Sequence, residues 1–222
     1  MLVEQRLSLM NFRPSKQSIV AFIILAFALL LIVPYTFDSK LFLGGDNCNY
    51  YILADGIANG KGYVSSNLPI PQPANHFPPG YSFLMSLFMR LGITSIMAFK
   101  VINSILVLIA AFVFYRIVRQ LTKQQLLSLV LGVLLLLNAH ILEYSSIMMS
   151  EISFTLFQLL SIYFLIRWHE EEYKLRSLHG ALFIVTLICL IYIRTIGITM
   201  LGASFLFILF SRKYLSSLLV LG

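Results

Sequence analysis

Apolar residues do not spread evenly along this chain; they gather in blocks. Ile19–Phe37 is the first. A polar stretch rich in glycine and proline follows from Asp38 to Gly80, then a short apolar segment, Tyr81–Leu91, and a longer one, Ile96–Ile117. Leu126–Tyr144, Ile152–Arg167, Leu178–Ile193 and Ile196–Phe210 continue the series, and another apolar run opens after Arg212 and Lys213. A bilayer crossing takes about 20 residues. The pattern therefore predicts an all-α, polytopic transmembrane helix bundle of six spans, with short interfacial helices in the first long loop. Arg194 divides the last two blocks, which together would be too long for one crossing.

Composition sharpens this. Of 222 residues, 59% are hydrophobic and 11% charged, with a mean hydropathy of +0.89, against about 25% charge in a soluble domain. A water-soluble globule, a disordered tail and a disulfide-stapled secreted module are excluded. The net charge of +7 does not point to nucleic acid, because the basic residues sit at block ends rather than in a patch. Cys48 lies in a polar loop and Cys189 within an apolar block, so no disulfide framework is expected. Arg6, Arg13 and Lys16 precede the first block as in a secretory signal, but the block is longer than a signal core and no small-x-small site follows it. It reads as an uncleaved span.

Charge also sets the orientation. With the amino terminus inside, eleven of the sixteen Lys and Arg fall on the inner side and five (Lys40, Lys61, Arg90, Lys100, Arg194) on the outer side, as the positive-inside rule requires. Residues 1–18 are then a cytoplasmic amino terminus, 19–222 the transmembrane region, and 38–95 an outer loop on a rigid scaffold, where chemistry is expected.

That loop reads GGDNCNYYILADGIANGKGY from Gly44 to Tyr63. Asn47–Asn59 has helical spacing, so Asp46 is placed to cap its start and Gly60 its end. A carboxylate held near aromatic rings at a membrane surface is equally a candidate general base. His76-Phe77-Pro78-Pro79-Gly80-Tyr81 opens the short apolar helix; His76 is a candidate phosphate ligand or proton donor, or simply a solvated loop histidine. Ser150 and Glu151 start the fourth span, Ser150 as a cap and Glu151 favouring the positive helix end. Asn138, His140 and Glu143 mark the outer end of the third span. Arg194 is a charge at the membrane, whose partner is an anionic headgroup, a phosphate or Glu151. Glu170–Glu172 is expected to be a solvated inner loop, and Met148-Met149 to serve packing. No His, Cys, Asp or Glu set has zinc or calcium spacing, and no nucleophile elbow, P-loop or Rossmann fingerprint is present.

The order of these segments, an outer-loop aspartate in GGDNCNYYILADGIANGKGY, then HFPPGYSFLMSLFMRLG, YRIVRQ, MMSEISFTLFQLL and YIRTIGITML, resembles the amino-terminal half of the GT-C integral-membrane glycosyltransferases. The similarity is to the dolichyl-phosphate-mannose–protein mannosyltransferase-like and lipid A aminoarabinose transferase-like groups, and it runs from about Ile19 to Phe210. It implies a GT-C-like fold and a glycosyltransferase that moves a sugar, with inversion, from a polyprenyl-phosphate-linked donor. The acceptor is a lipid, a glycan or a protein on the outer face, and the setting a bacterial inner membrane. It makes Asp46 the catalytic base and gives substrate-binding roles to Arg194 foremost, with His76, Lys61 and Arg90, and with Tyr50 and Glu151 supporting the site. Asn47 stands where many relatives carry a second acidic residue. No cofactor is specified by the resemblance, and a divalent metal is left open. The resemblance also implies that 222 residues are about half of a larger enzyme, ending inside a seventh apolar run. The competing class is a non-catalytic membrane protein, a flippase or transporter subunit or a degenerate transferase. Such a transporter would concentrate polar groups at mid-membrane, whereas here the charges gather at the outer ends.

Overall fold

A computed structural model describes residues 15–37, 40 and 46–211. Arg6, Arg13, the Gly44-Gly45 pair and the apolar run after Lys213 lie outside the described residues. The helices are α1 (Lys16–Thr36), α2 (Asn47–Ala58), α3 (Gly80–Arg90), α4 (Ile96–Thr122), α5 (Gln125–Leu136), α6 (Ala139–Ser145), α7 (Ser150–Glu170), α8 (Leu178–Ile193) and α9 (Ile198–Phe210), with a 3-10 turn at Thr195–Gly197 before the last. A two-residue hairpin, β1 (Val64–Ser65) against β2 (Gln72–Pro73), is the strand structure among the described residues; Val64 pairs with Pro73 and Ser65 with Gln72.

Two helices, α1 and α4, are long and apolar enough to cross a membrane, and α5 with α6 makes a third if the bent pair is one span. This is fewer than six. α8 has 16 residues, about 24 Å at 1.5 Å per residue, short of a hydrocarbon core of about 30 Å. The outward faces are nevertheless apolar: on α1, Phe27 is 61% and Leu30 69% exposed. Side chains this large exposed in a continuous run belong against lipid or protein, not water.

Local chemistry explains where the helices differ from the blocks. The segment expected as one span over Leu126–Tyr144 is broken, its halves meeting at 56°. Asn138 causes the break, since its side-chain oxygen accepts from the N–H groups of His140 and Ile141 at 3.1 and 3.3 Å and starts a new helix. α4 continues past Ile117 to Thr122 and ends where Lys123 turns left-handed, φ 61°. Ser150 is not a cap: Met149 takes that position, and Ser150 is the first helical residue. His140 and Glu143 stay exposed, 3.9 Å apart.

The bundle centres on α4, which packs against α1, α5 and α7, while α7 lies along α8. Leu25 of α1 meets Ala111, Tyr115, Leu136 and Ile152 in one buried cluster. Trp168, Phe183, Leu187 and Ile208 form another between α7, α8 and α9. Small residues permit the close approaches: a Cβ on Gly180 would lie 2.8 Å from the Trp168 ring. On the side expected to be inner, Arg116 donates to the Tyr163 hydroxyl and Arg119 to the Gln17 side chain, so both guanidinium groups are held by neutral polar side chains.

The Glu170–Glu172 run is not a freely solvated loop. Glu171 accepts from the Ser177 hydroxyl and pairs with His179 at 2.6 Å, and Glu170 pairs with Arg167 at 2.9 Å. Partial burial pushes the Glu171 carboxyl up, but the Ser177 and His179 hydrogen bonds outweigh this and hold it below its ordinary value. The Trp168 indole donates to the Lys174 carbonyl at 3.0 Å, closing the α7–α8 connection.

Candidate active site

On the opposite side of the bundle, α2, α3 and the start of α4 pack together around Tyr50, Tyr81, Met85, Phe99 and Met148. Met148 is thus a packing residue, 1% exposed. α2 is amphipathic because Tyr50, Leu53 and Ala54 recur on one face, and it stops at Gly60, φ 73°. The Gly60 and Lys61 N–H groups return to the carbonyls of Ile57 and Gly56 at 3.2 and 2.8 Å, a two-bond C-terminal closure that needs a left-handed residue. Asp46 occupies the N-cap position of α2, but its side chain makes no capping hydrogen bond.

Tyr50 is the hub. It is 5% exposed, its ring lies 5.1 Å from Phe77 and 5.0 Å edge-on to Tyr81, and its hydroxyl meets the Ser150 hydroxyl at 3.2 Å. The Ser82 hydroxyl donates to the Tyr50 carbonyl at 3.3 Å. Burial pushes the Tyr50 phenol up, against the Ser150 hydrogen bond. The Tyr50 N–H donates to the Asp46 carbonyl at 3.0 Å, and Glu151, next to Ser150, pairs with Arg194, so the starts of α2 and α7 and the end of α8 meet around Tyr50.

Arg194 reaches it from an extended residue that caps α8, φ −149° and ψ 132°. Nη1 pairs with Glu151 Oε1; the side chains are 39% and 23% exposed. The other Glu151 oxygen, Oε2, is buried with no hydrogen-bond partner among the described residues. The turn that displays Arg194 is tight, since a Cβ on Gly197 would lie 2.9 Å from the Leu190 carbonyl oxygen. α3 locks onto the same end of α8: a Cβ on Gly80 would sit 2.6 Å from the Tyr192 carbonyl.

Tyr63 fastens the loop to this platform, donating to the Phe77 carbonyl at 2.9 Å. Its phenol is pushed up to about 12, chiefly by burial. Tyr81 is fully buried and pushed up further, with Asn103 hydrogen-bonded to its hydroxyl; Asn103 in turn donates to the Ile147 carbonyl at 2.6 Å. Beside the site an apolar groove of about 530 Å³ runs between α3 and α8, lined by Phe83, Leu84, Phe157, Ile188 and Tyr192 among others.

The candidate residues divide. Asp46, Tyr50, Glu151 and Arg194 come together. His76 lies at the rim, exposed, its ring 4.7 Å from Phe77. Lys61 and Arg90 sit at the far end of α2, where Arg90 Nη2 donates to the Ile57 carbonyl at 3.1 Å; that end is about 16 Å from Asp46 along the helix. Ser150, read in the sequence only as a helix cap, joins this neighbourhood, as do Ser82 and Tyr81, to which the sequence assigned no role. Serines are too common to stand out, and an inward tyrosine shows only once the helix face is known. Among the described residues, no group of three or more His, Cys, Asp or Glu side chains could hold a metal ion.

The model of the dolichyl-phosphate-mannose-protein mannosyltransferase family matches residues 76–221. No curated protein and no solved structure matches the chain.

Proposed function

The chain belongs to the dolichyl-phosphate-mannose-protein mannosyltransferase family, of the GT-C membrane glycosyltransferases, and from this we propose that it transfers a sugar from a polyprenyl-phosphate-linked donor to an acceptor on the outer face of a membrane. The meeting of the Asp46-bearing start of α2 with the Glu151–Arg194 pair around Tyr50 carries this reading. A carboxylate not engaged in capping its own helix is available to accept a proton, and the guanidinium paired with Glu151 keeps further N–H groups to offer a phosphate.

The acceptor hydroxyl oxygen attacks the anomeric carbon and Asp46 takes its proton. The bond from that carbon to the phosphate oxygen breaks, and the electron pair leaves with the polyprenyl phosphate. Attack opposite the leaving group inverts the anomeric centre. The leaving phosphate is already a weak base, so it needs a cation more than an acid. Arg194 supplies that cation, and Glu151 aims it. The apolar groove beside α8 suits the donor's hydrocarbon chain. In this reading the amino terminus is cytoplasmic, α7 and the shorter helices α8 and α9 complete six crossings, and the membrane is a bacterial inner membrane.

Transfer from a radiolabelled polyprenyl-phospho-sugar by the full-length protein, compared with Asp46→Asn, tests the assignment. Loss of the general base is expected to slow transfer by about 10²–10⁴-fold. Unchanged transfer in the variant removes Asp46 from that role, and absence of transfer by the wild type with every donor tried overturns the reading as a whole.

A further inference from the structure

A separate recess of about 440 Å³ opens beside α2, towards the hairpin. Asn49 of α2, Ser65 of β1, Asn67 at the hairpin turn, and Asn75, His76 and Phe77 on the way to α3 line it. This volume lies within the range of small-molecule sites and suits roughly one or two hexose rings.

Its polar groups are not spent on the fold. Among the described residues, the side chains of Asn49, Ser65, Asn67 and Asn75 hydrogen-bond to no other residue. The other described asparagines are engaged: Asn59 with Asp55, Asn103 with Ile147, Asn138 with the start of α6, and Asn47 in a contact of its own. Three amides and a hydroxyl converging on one recess offer donors and acceptors in alternation, which is what a ring of vicinal hydroxyl groups needs. No Lys, Arg, Asp or Glu is among its lining residues, and His76 at the rim is the titratable side chain there, so the recess favours a neutral ligand over a multiply charged one.

Phe77 supplies the apolar wall. Its ring is held between Tyr50 at 5.1 Å and His76 at 4.7 Å, and its carbonyl is held by Tyr63. A wall fixed in advance binds without the entropy cost of ordering it, and a flat ring is the partner for the C–H face of a sugar.

We propose that this recess binds a neutral sugar ring. The claim rests on the proposed function only for the sugar's carrier, which is either the acceptor or the donor lipid; the binding itself needs no transfer activity. Saturation-transfer NMR on the full-length protein in detergent, with the methyl α-glycosides of glucose, mannose and galactose as probes, tests it directly. Saturation is expected to reach at least one probe. It should weaken about tenfold in an Asn49→Ala, Asn75→Ala double variant, persist in Asp46→Asn, and resist competition by inorganic phosphate. Both asparagines are exposed, so their truncation leaves the core untouched. Absence of saturation with all three probes, equal saturation in the double variant, or displacement by phosphate overturns the proposal. A protein that binds the probes but transfers no sugar overturns the transferase reading and leaves this one standing. In the transfer assay, a raised KM for the acceptor alone identifies the acceptor as carrier, and a raised KM for the donor alone identifies the donor. Both values unchanged in the double variant count against the recess.

Discussion

The Glu151–Arg194 pair is neither a surface ion pair nor a buried one, with Arg194 39% and Glu151 23% exposed. Exposed pairs contribute 0.2–1 kcal/mol and fully buried ones cost several when broken. A double-mutant cycle with Glu151→Gln and Arg194→Gln, read by thermal or denaturant unfolding in detergent, is therefore expected to give a coupling of about 1 kcal/mol. Transfer should fall further in the Arg194 variant than that coupling explains, because it also loses the phosphate cation. Tyr50→Phe is expected to cost about 1 kcal/mol in the same assay, since it leaves the buried Ser150 hydroxyl without its partner. Glu171 gives a pH signature. Its carboxyl is held below the ordinary value of 4.5, so its contribution is full above that value and is lost as pH falls through the lower folded one. Wild type should unfold at a higher temperature than Glu171→Gln at neutral pH, and the gap should close on acidification below 4.5; a gap that widens contradicts this. Asp46, Glu151 and Arg194 could be picked out in the sequence because few charges fall on the side expected to be outer, and acids are scarce in this chain. Ser150 was legible only as a helix start, and its role as partner to Tyr50 depends on how α2 docks, which no local pattern records.

Among the elements, α3 depends most on a single atom's absence. Gly80→Ala would drive a Cβ into the Tyr192–Ile193 backbone, with contacts of 2.6–2.7 Å, and backbone cannot swing aside as a side chain can. Overpacking of this kind typically costs 1–3 kcal/mol, so a loss of about 2 kcal/mol is expected in denaturant unfolding. Because the displaced segment ends at Arg194, sugar transfer should fall with it. Gly60→Ala has open space around it but keeps φ 73°, so it is expected to cost about 1 kcal/mol and leave α3 in place. Helix existence followed well from the apolar blocks: α1, α4, α7 and α8 lie where hydropathy put them. Boundaries followed less well where a polar side chain competes with the backbone. Asn138 splits the third block by capping a new helix, a choice between two sets of hydrogen bonds that hydropathy does not register.

For the whole molecule, the polar loop between α1 and α4 and the α7–α8 connection occupy opposite ends of the bundle. Single cysteines introduced at Asn67 and at Lys174, in a chain with Cys48 and Cys189 replaced by serine, are expected to respond oppositely to a membrane-impermeant maleimide on intact cells. The cysteine at 67 should label, and that at 174 only after permeabilisation; the reverse would invert the orientation deduced from the charges. The sequence carries an orientation to test because lysine and arginine placement is itself a physical cause of topology. The association of α2, α3 and the far end of α8 was not, since it depends on contacts between distant segments. The Tyr50–Ser150 hydrogen bond spans 100 residues. At about 5–20 residues per second of synthesis, Tyr50 emerges from the ribosome on the order of 10 s before its partner does. Throughout that interval α2 can pack on α3 and the start of α4 but not on α7 or the end of α8. The nascent chain therefore holds the aspartate-bearing helix half-docked until the Glu151–Arg194 pair is made.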